Sequence, residues 1–197
     1  MGIIFCIMGK SACGKDTLYK MLKRDFPMLR AVTMYTTRPI REGEQDGEEY
    51  RFVSEARYQE LTAQKKVIEC RTYQTMAGPW RYFTVDDGEI DLARYSYLTL
   101  GTLESYEQIR EYYGQSMMEP LYIEVDDGLR LERALERERK QHSPDYRELC
   151  RRFLADDEDF SEENLERLGI NKRYINDKLE VCLASVEKDI RSRMEQI

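Results

Sequence analysis

The sequence predicts an α/β fold: a parallel sheet flanked by helices, carrying a small β-rich lobe. Three observations predict it. Short apolar runs alternate with amphipathic stretches through most of the chain, the pattern of strands buried between helices. The first run, Ile3-Ile4-Phe5-Cys6-Ile7-Met8, leads straight into the glycine-bounded turn Gly9-Lys10-Ser11-Ala12-Cys13-Gly14-Lys15. Between about residues 34 and 92, long helical patterns give way to turn formers and brief strand-like alternations.

The spacing of Gly9, Gly14 and Lys15 is that of a phosphate-binding loop between a buried strand and a helix. Glycines let the backbone wrap a phosphate so that successive N–H groups point at its oxygens. The next helix, 16–24, presents its positive end to the same anion, and Lys15 bridges the outer phosphates as a point charge. Leu18, Met21, Leu22 and Phe26 recur at helical spacing, and Pro27 stops the helix. A serine or threonine is expected after the lysine, where its hydroxyl ligates magnesium. Here Asp16 stands there and Thr17 follows one place late. A carboxylate ligates magnesium well, but it also sets a negative charge beside phosphates. The loop thus predicts ATP and Mg2+ as cofactors. Gly9, Ala12, Cys13, Gly14, Lys15, Asp16 and Thr17 are the expected contacts, with Asp16 the candidate metal ligand.

A chain of 197 residues, 41% hydrophobic and 35% charged, is one domain with a proper core. Its net charge of −7 argues against nucleic acid as a default partner, so an anionic substrate must be held by local Arg and Lys clusters. No apolar run approaches the ~20 residues of a membrane span. The N-terminal run has no basic region before it, so no signal peptide is expected and the expected location is cytoplasmic. Cys6, Cys13, Cys70, Cys150 and Cys182 lack metal spacing, as befits reduced thiols. His142 is the single histidine, which excludes a histidine-based triad or zinc site.

In chain order, a second strand is expected around 31–34, followed by the polar segment 36–53. Ser54 caps a helix carrying Tyr58 and Leu61. Strands are expected at 67–70 and 81–85, at 95–100 and at 121–125, with a helix at 103–113 before the last of these. Two charged helices, 129–141 and 145–157, are split by Ser143-Pro144. Arg173-Tyr174-Ile175 is a last strand, and Leu179, Cys182, Leu183, Val186 and Ile190 form the stripe of a final helix. No internal repeat or low-complexity segment is visible.

Read together, the loop and the segment 36–53 resemble guanylate kinase, a phosphate-loop nucleoside monophosphate kinase of the P-loop NTPase type. The most specific part is Thr-Thr-Arg-x-x-Arg-x-Gly-Glu-x-x-Gly-x-x-Tyr-x-Phe-Val, met from Thr36 to Val53. The resemblance implies that Arg38, Arg41 and Tyr50 grip an acceptor phosphate. Guanidinium forks are chemically suited to a dianion, although a solvated loop pairing with Glu42 and Glu44 would use the same arginines. It further implies that Glu69 accepts from guanine, that Tyr82 is a second phosphate-binding tyrosine, and that Thr84 helps to read the base. Arg133, Arg137 and Arg139 lie on the implied lid helix, with Arg137 and Arg152 taken as the lid arginines that act in catalysis beside Lys15 and Arg38. Glu132, Glu136 and Glu138 would be their solubilising partners. Asn176 and Asp177 match the pair bordering the adenine pocket, or cap a helix. The implied division is a core of 1–33, 93–126 and 153–197, a nucleotide-binding lobe of 34–92 and a lid of 127–152.

The chain departs from the family in several places. The family's third core strand ends in two aspartates, where this chain has Leu98-Thr99-Leu100-Gly101. One explanation is that Asp16 supplies the charge the strand lacks. Met34 stands near where the family places a base-reading serine, and Thr33 would substitute for that serine if the register slips by one. Tyr82-Phe83 replaces Tyr-Gly, after what reads as a short insertion, Met76-Ala77-Gly78-Pro79-Trp80. Trp80 either stacks on a base or plugs the small lobe. Asp126-Asp127 reads as a helix cap. The activity implied is GMP + ATP to GDP + ADP, with small-molecule nucleotides as partners. The alternatives are another phosphorylated acceptor, or a binding module without catalysis.

Overall fold

The computed structural model describes residues 1–41, 43–48, 50–75 and 78–197. Glu42 and the Met76-Ala77 part of the expected insertion lie outside the described residues. The elements run β1 (Ile4–Met8), α1 (Lys15–Asp25), β2 (Arg30–Ala31), β3 (Tyr35–Thr36), β4 (Arg51–Phe52), α2 (Glu55–Ala63), β5 (Val67–Thr75), β6 (Gly78–Val85), β7 (Tyr97–Leu100) and α3 (Leu103–Tyr113). They continue with β8 (Met118–Glu124), α4 (Asp127–Arg139), α5 (Tyr146–Asp159), α6 (Glu162–Arg167), β9 (Arg173–Ile175) and α7 (Leu179–Met194).

Two sheets organise these elements. The larger has five strands in the order β2-β7-β1-β8-β9, every pairing parallel. Its central strand β1 is buried throughout, which is why its sequence is a continuous apolar run rather than an alternation. Phe5 and Ile7 face Leu18 and Leu22 of α1 and Cys182, Val186 and Ile190 of α7. Ile4, Cys6 and Met8 face the opposite layer, with Leu103, Tyr106 and Ile109 of α3 and Leu165 of α6. The period-2 direction of strand side chains thus feeds two helical layers from one strand. Among the described residues, no helix is long and apolar enough to cross a membrane.

The smaller sheet, ordered β4-β3-β6-β5, forms the β-rich lobe around Leu61, Phe83 and Val85. Phe83 is fully buried, stacked on Tyr35 at 5.6 Å with Tyr58 edge-on at 5.0 Å. The residue that departs from the Tyr-Gly pattern is therefore the lobe's core and lines no binding surface. Ser54 caps α2 as expected, its hydroxyl accepting from the Arg57 amide at 3.1 Å.

Several boundaries differ from expectation. The strand expected at 31–34 is divided: β2 ends at Ala31 in the large sheet, and β3 begins at Tyr35 in the small one. Residues 32–34 carry the chain between sheets, which their apolar character does not reveal. The hairpin β5–β6 runs on past 67–70 to Thr75, because each polar residue there has an antiparallel partner to complete its hydrogen bonding. Helix α6 escapes sequence reading, since six residues give too little periodicity to register.

The acid-free end of β7 has a packing cause. A Cβ on Gly101 would lie 2.7 Å from Cys6 Sγ and 3.0 Å from Ser105 Oγ, so no side chain fits there without displacing the core. Gly101→Ala is expected to destabilise the fold by about 1–3 kcal/mol in denaturant unfolding. The loss should at least halve in a Cys6→Ala background, and an undiminished loss would put the strain elsewhere.

Candidate functional site

The loop after β1 takes the conformation its glycines permit. Gly14 has φ 87°, and a Cβ there would sit 2.5 Å from Asn176 Nδ2, so both the backbone and the neighbour require glycine. Ala12 also holds a left-handed φ of 64°, a strained geometry for a residue with a side chain. Gly9 and Cys13 are buried, and burial pushes the Cys13 thiol pKa up, away from reactivity. Lys15 opens α1, and among the described residues its ammonium makes no ion pair or hydrogen bond. Asp16 and Thr17 lie exposed in the first turn of the same helix. No group of three or more His, Cys, Asp or Glu able to hold a metal occurs among the described residues. Magnesium, which takes one or two carboxylates and fills its shell with phosphate oxygens and water, fits a lone exposed Asp16 better than a protein cage would.

Helix α5 reaches back to this loop. Asp156 accepts from the Ser11 amide at 2.7 Å, and Asp157 accepts from the Lys10 ammonium at 2.6 Å. Between them lies Arg130 of α4, only 1% exposed, donating to Asp156 at 3.2 Å and Asp157 at 3.1 Å and lying 3.9 Å over the Phe153 ring. Sequence reading missed Arg130, Asp156 and Asp157, which look like ordinary members of two charged helices. Glu138, expected to be a solubilising partner, is instead buried and accepts from the Asp145 amide at 2.6 Å, fixing the turn between α4 and α5. Glu132 and Glu136 are exposed as expected. Asp126 caps α4, accepting from Gly128 N at 3.0 Å and Leu129 N at 3.2 Å.

The lid arginines separate. Arg133 donates to the Asn176 carbonyl at 3.0 Å and so braces the β9–α7 turn. Arg137 and Arg139 are exposed in the last turn of α4. Arg152 lines a groove together with acceptor-side residues. Asn176 is buried and donates from Nδ2 to the Cys13 carbonyl at 2.8 Å, tying β9 to the phosphate loop. Its Oδ1 is buried without a partner, an acceptor positioned to take an amino donor. The alternative of a helix cap does not hold, because Lys178 occupies the cap of α7. Asp177 is exposed.

Around the residues expected to bind an acceptor, β5, β6 and α5 with Met34 and Tyr50 border an open groove of about 850 Å³, lined by Met34, Tyr50, Arg71, Trp80, Tyr82 and Arg152 among others. Met34 faces this groove, whereas Thr33 lines a separate cavity that Thr84 also lines. Trp80 also faces the groove and does not plug the lobe. Tyr50 and Tyr82 meet edge to face at 5.4 Å. The Arg38 guanidinium is buried, lies 5.3 Å from the Tyr50 ring, and forks onto Glu44, with Nη1 to Oε2 at 2.7 Å. Glu44 thereby fills the place in the fork that a phosphate dianion would claim, while Arg38 Nε stays buried and unpartnered. Among the described residues Arg41 is brought in through its amide, which donates to Glu44 at 2.8 Å, and the residue is exposed. Glu69 is sealed: its side chain has zero exposure, and it accepts from the Thr84 hydroxyl at 2.8 Å and Arg71 Nε at 3.2 Å.

With this geometry in view, the likeness to known proteins can be weighed. Residues 3–79 match the family model for guanylate kinase. The guanylate kinase of Neisseria gonorrhoeae is 38% identical over 96 residues, covering 49% of this chain and 45% of that one. That of Helicobacter hepaticus is 46% identical over 57 residues, covering 29% and 28%. The chain thus spans less than half the length of these curated relatives. A crystal structure of guanylate kinase from Anaplasma phagocytophilum superposes with a TM-score of 0.63 at 15% identity, covering 97% of this chain and 85% of that one. The guanylate kinase fold therefore extends well beyond the stretch in which the sequence is recognisably alike. The sequence match holds the phosphate loop and the 36–53 motif, whereas α4 and α5 lie outside residues 3–79.

The Arg38 fork holds the Glu44 carboxyl down at about 2, against an ordinary value of 4.5. A lowered carboxyl contributes stability above the ordinary value and loses it as pH falls through the lowered one. Glu44→Gln is expected to melt below the unaltered protein at pH 7. The gap should close as pH falls from about 4.5 towards 2, read from melting temperatures across that range, and a gap independent of pH would refute the pairing.

Proposed function

We propose that the chain transfers the γ-phosphoryl group of ATP to a nucleoside monophosphate, GMP first among them, giving GDP and ADP. One observation carries the reading: α5 lines the acceptor groove with Arg152 and, one turn later, binds the Ser11 amide of the phosphate loop with Asp156. A single rigid element thus spans donor and acceptor sites.

In this reading Lys15 and the loop amides hold the outer phosphates of ATP, and the unpartnered Asn176 Oδ1 takes the adenine amine, with Asp177 at the rim. Arg38, Tyr50 and Tyr82 orient the acceptor phosphate once it displaces Glu44, and Arg41 swings in from solvent. The bond from Pγ to the bridging oxygen of ADP breaks as a bond forms to an oxygen of the acceptor phosphate. No general base is needed, because that oxygen is already anionic. Catalysis is therefore positioning and charge neutralisation, to which Arg152 contributes directly and Arg137 contributes if α4 swings inward. Bound magnesium would be held by Asp16 and would neutralise phosphate charge. The core of 1–33, 93–126 and 153–197, the lobe of 34–92 and the lid of 127–152 then close to exclude water. The partners are small nucleotides in the cytoplasm. Met34 in place of a hydroxyl at the groove favours one second reading, the same transfer to a different phosphorylated acceptor.

Coupled ADP release with ATP and magnesium should depend on GMP above AMP, UMP and CMP. Lys15→Met should lower kcat by about a hundredfold or more. Asp16→Ala should abolish magnesium-dependent turnover, and near-normal rates would end its role as ligand. Flat rates with every acceptor would refute the transferase reading.

A further inference from the structure

The Glu69 carboxylate cannot be reached from the groove as it stands. Its side chain has no exposure, Thr84 is 2% exposed, and Arg71 lies across it. Arg71 donates Nε to Glu69 Oε2 at 3.2 Å and Nη2 to the Met34 thioether at 3.1 Å, a weak acceptor. Its side chain keeps 11% exposure and lines the groove. Among the described residues, Nη1 makes no hydrogen bond. Thr72, Gln74, Glu148, Arg151 and Arg152 also line the groove. Among its lining residues Arg71 is the guanidinium locked against the buried Glu69, so a base entering past Tyr50, Tyr82 and Trp80 meets there a fixed guanidinium edge. Such an edge is a rigid, permanently charged donor and accepts nothing. Aromatic walls accommodate any base face, so a fixed donor beside them is suited to discriminate between base edges.

We infer that Arg71 is a specificity-determining residue of the acceptor site, donating to the 6-oxo group of a purine and thereby selecting 6-oxopurine nucleotides over 6-aminopurine ones. Glu69 anchors the fork, and Met34 supplies a weak contact that a stronger acceptor on the base replaces. A guanine or hypoxanthine base offers O6 as an acceptor, whereas adenine offers an amino donor at the same place, which meets Arg71 donor to donor. The inference rests on the proposed nucleotide-kinase reading, and it adds the residue that decides the base.

The test is calorimetric binding of GMP, IMP and AMP to the full chain, unaltered and as Arg71→Ala and Arg71→Lys. GMP and IMP should bind the unaltered protein more tightly than AMP. Arg71→Ala should weaken both by about ten- to a hundredfold while leaving AMP unchanged, and Arg71→Lys should restore part of the loss. A GMP-to-AMP ratio unchanged in Arg71→Ala, or tighter GMP binding because Glu69 has been uncovered, would overturn the assignment. If Arg71→Ala does not fold, the unaltered protein decides with 6-thioguanosine 5′-monophosphate, which keeps N1–H, the amine and N7 but weakens the acceptor at position 6. Weaker binding than GMP supports Arg71, and equal binding overturns it. GMP phosphorylation with no Arg71 effect removes this inference alone. Absence of both binding and turnover with every purine monophosphate removes the kinase reading with it.

Discussion

The carboxylate of Asp156 joins two parts of the molecule that sequence places 145 residues apart, accepting from the Ser11 amide and from Arg130 together. A buried guanidinium is tolerable only when its charge is met by well-placed acceptors, and Asp127, Asp156 and Asp157 meet it here. The helices α4 and α5 are thereby anchored to the phosphate loop. Removing Arg130 would leave three neighbouring carboxylates without the cation they share.

The same economy appears on the acceptor side. Arg38 is occupied by Glu44 and Arg71 by Glu69, so the two guanidinium groups that face or underlie the groove are each carried on an internal acid. In a chain of net charge −7, this is how cationic chemistry is concentrated locally without exposing unpaired arginines. The two pairs differ in kind. Glu44 sits on a surface turn beside Arg41, its side chain partly exposed. Glu69 is enclosed, so Arg71 stays with it and becomes part of the surface the ligand meets.

The departures from the family pattern acquire separate causes. Phe83 is the core of the small lobe, and Gly101 is forced by Cys6 and Ser105. Asp16 is exposed at the start of α1. Met34 is paired with Arg71, which the sequence separates by 37 residues. Substitutions that look like one correlated drift in the sequence belong to at least three different packing environments.

By itself the sequence determined the phosphate loop, its flanking strand and helix, the helix at 103–113, the strand at 173–175 and the β-rich nature of the lobe. These are set by local steric and periodic rules: glycine spacing, apolar period and capping residues act within one or two turns of chain. Tertiary structure alone decided that Arg130 and Glu138 are buried, that Arg152 rather than Arg137 reaches the groove, and that Arg71 covers Glu69. A charged residue on a helix or strand carries no local mark of what will pack against it. Its burial depends on a partner brought in from a distant part of the chain, and only the folded arrangement supplies that partner.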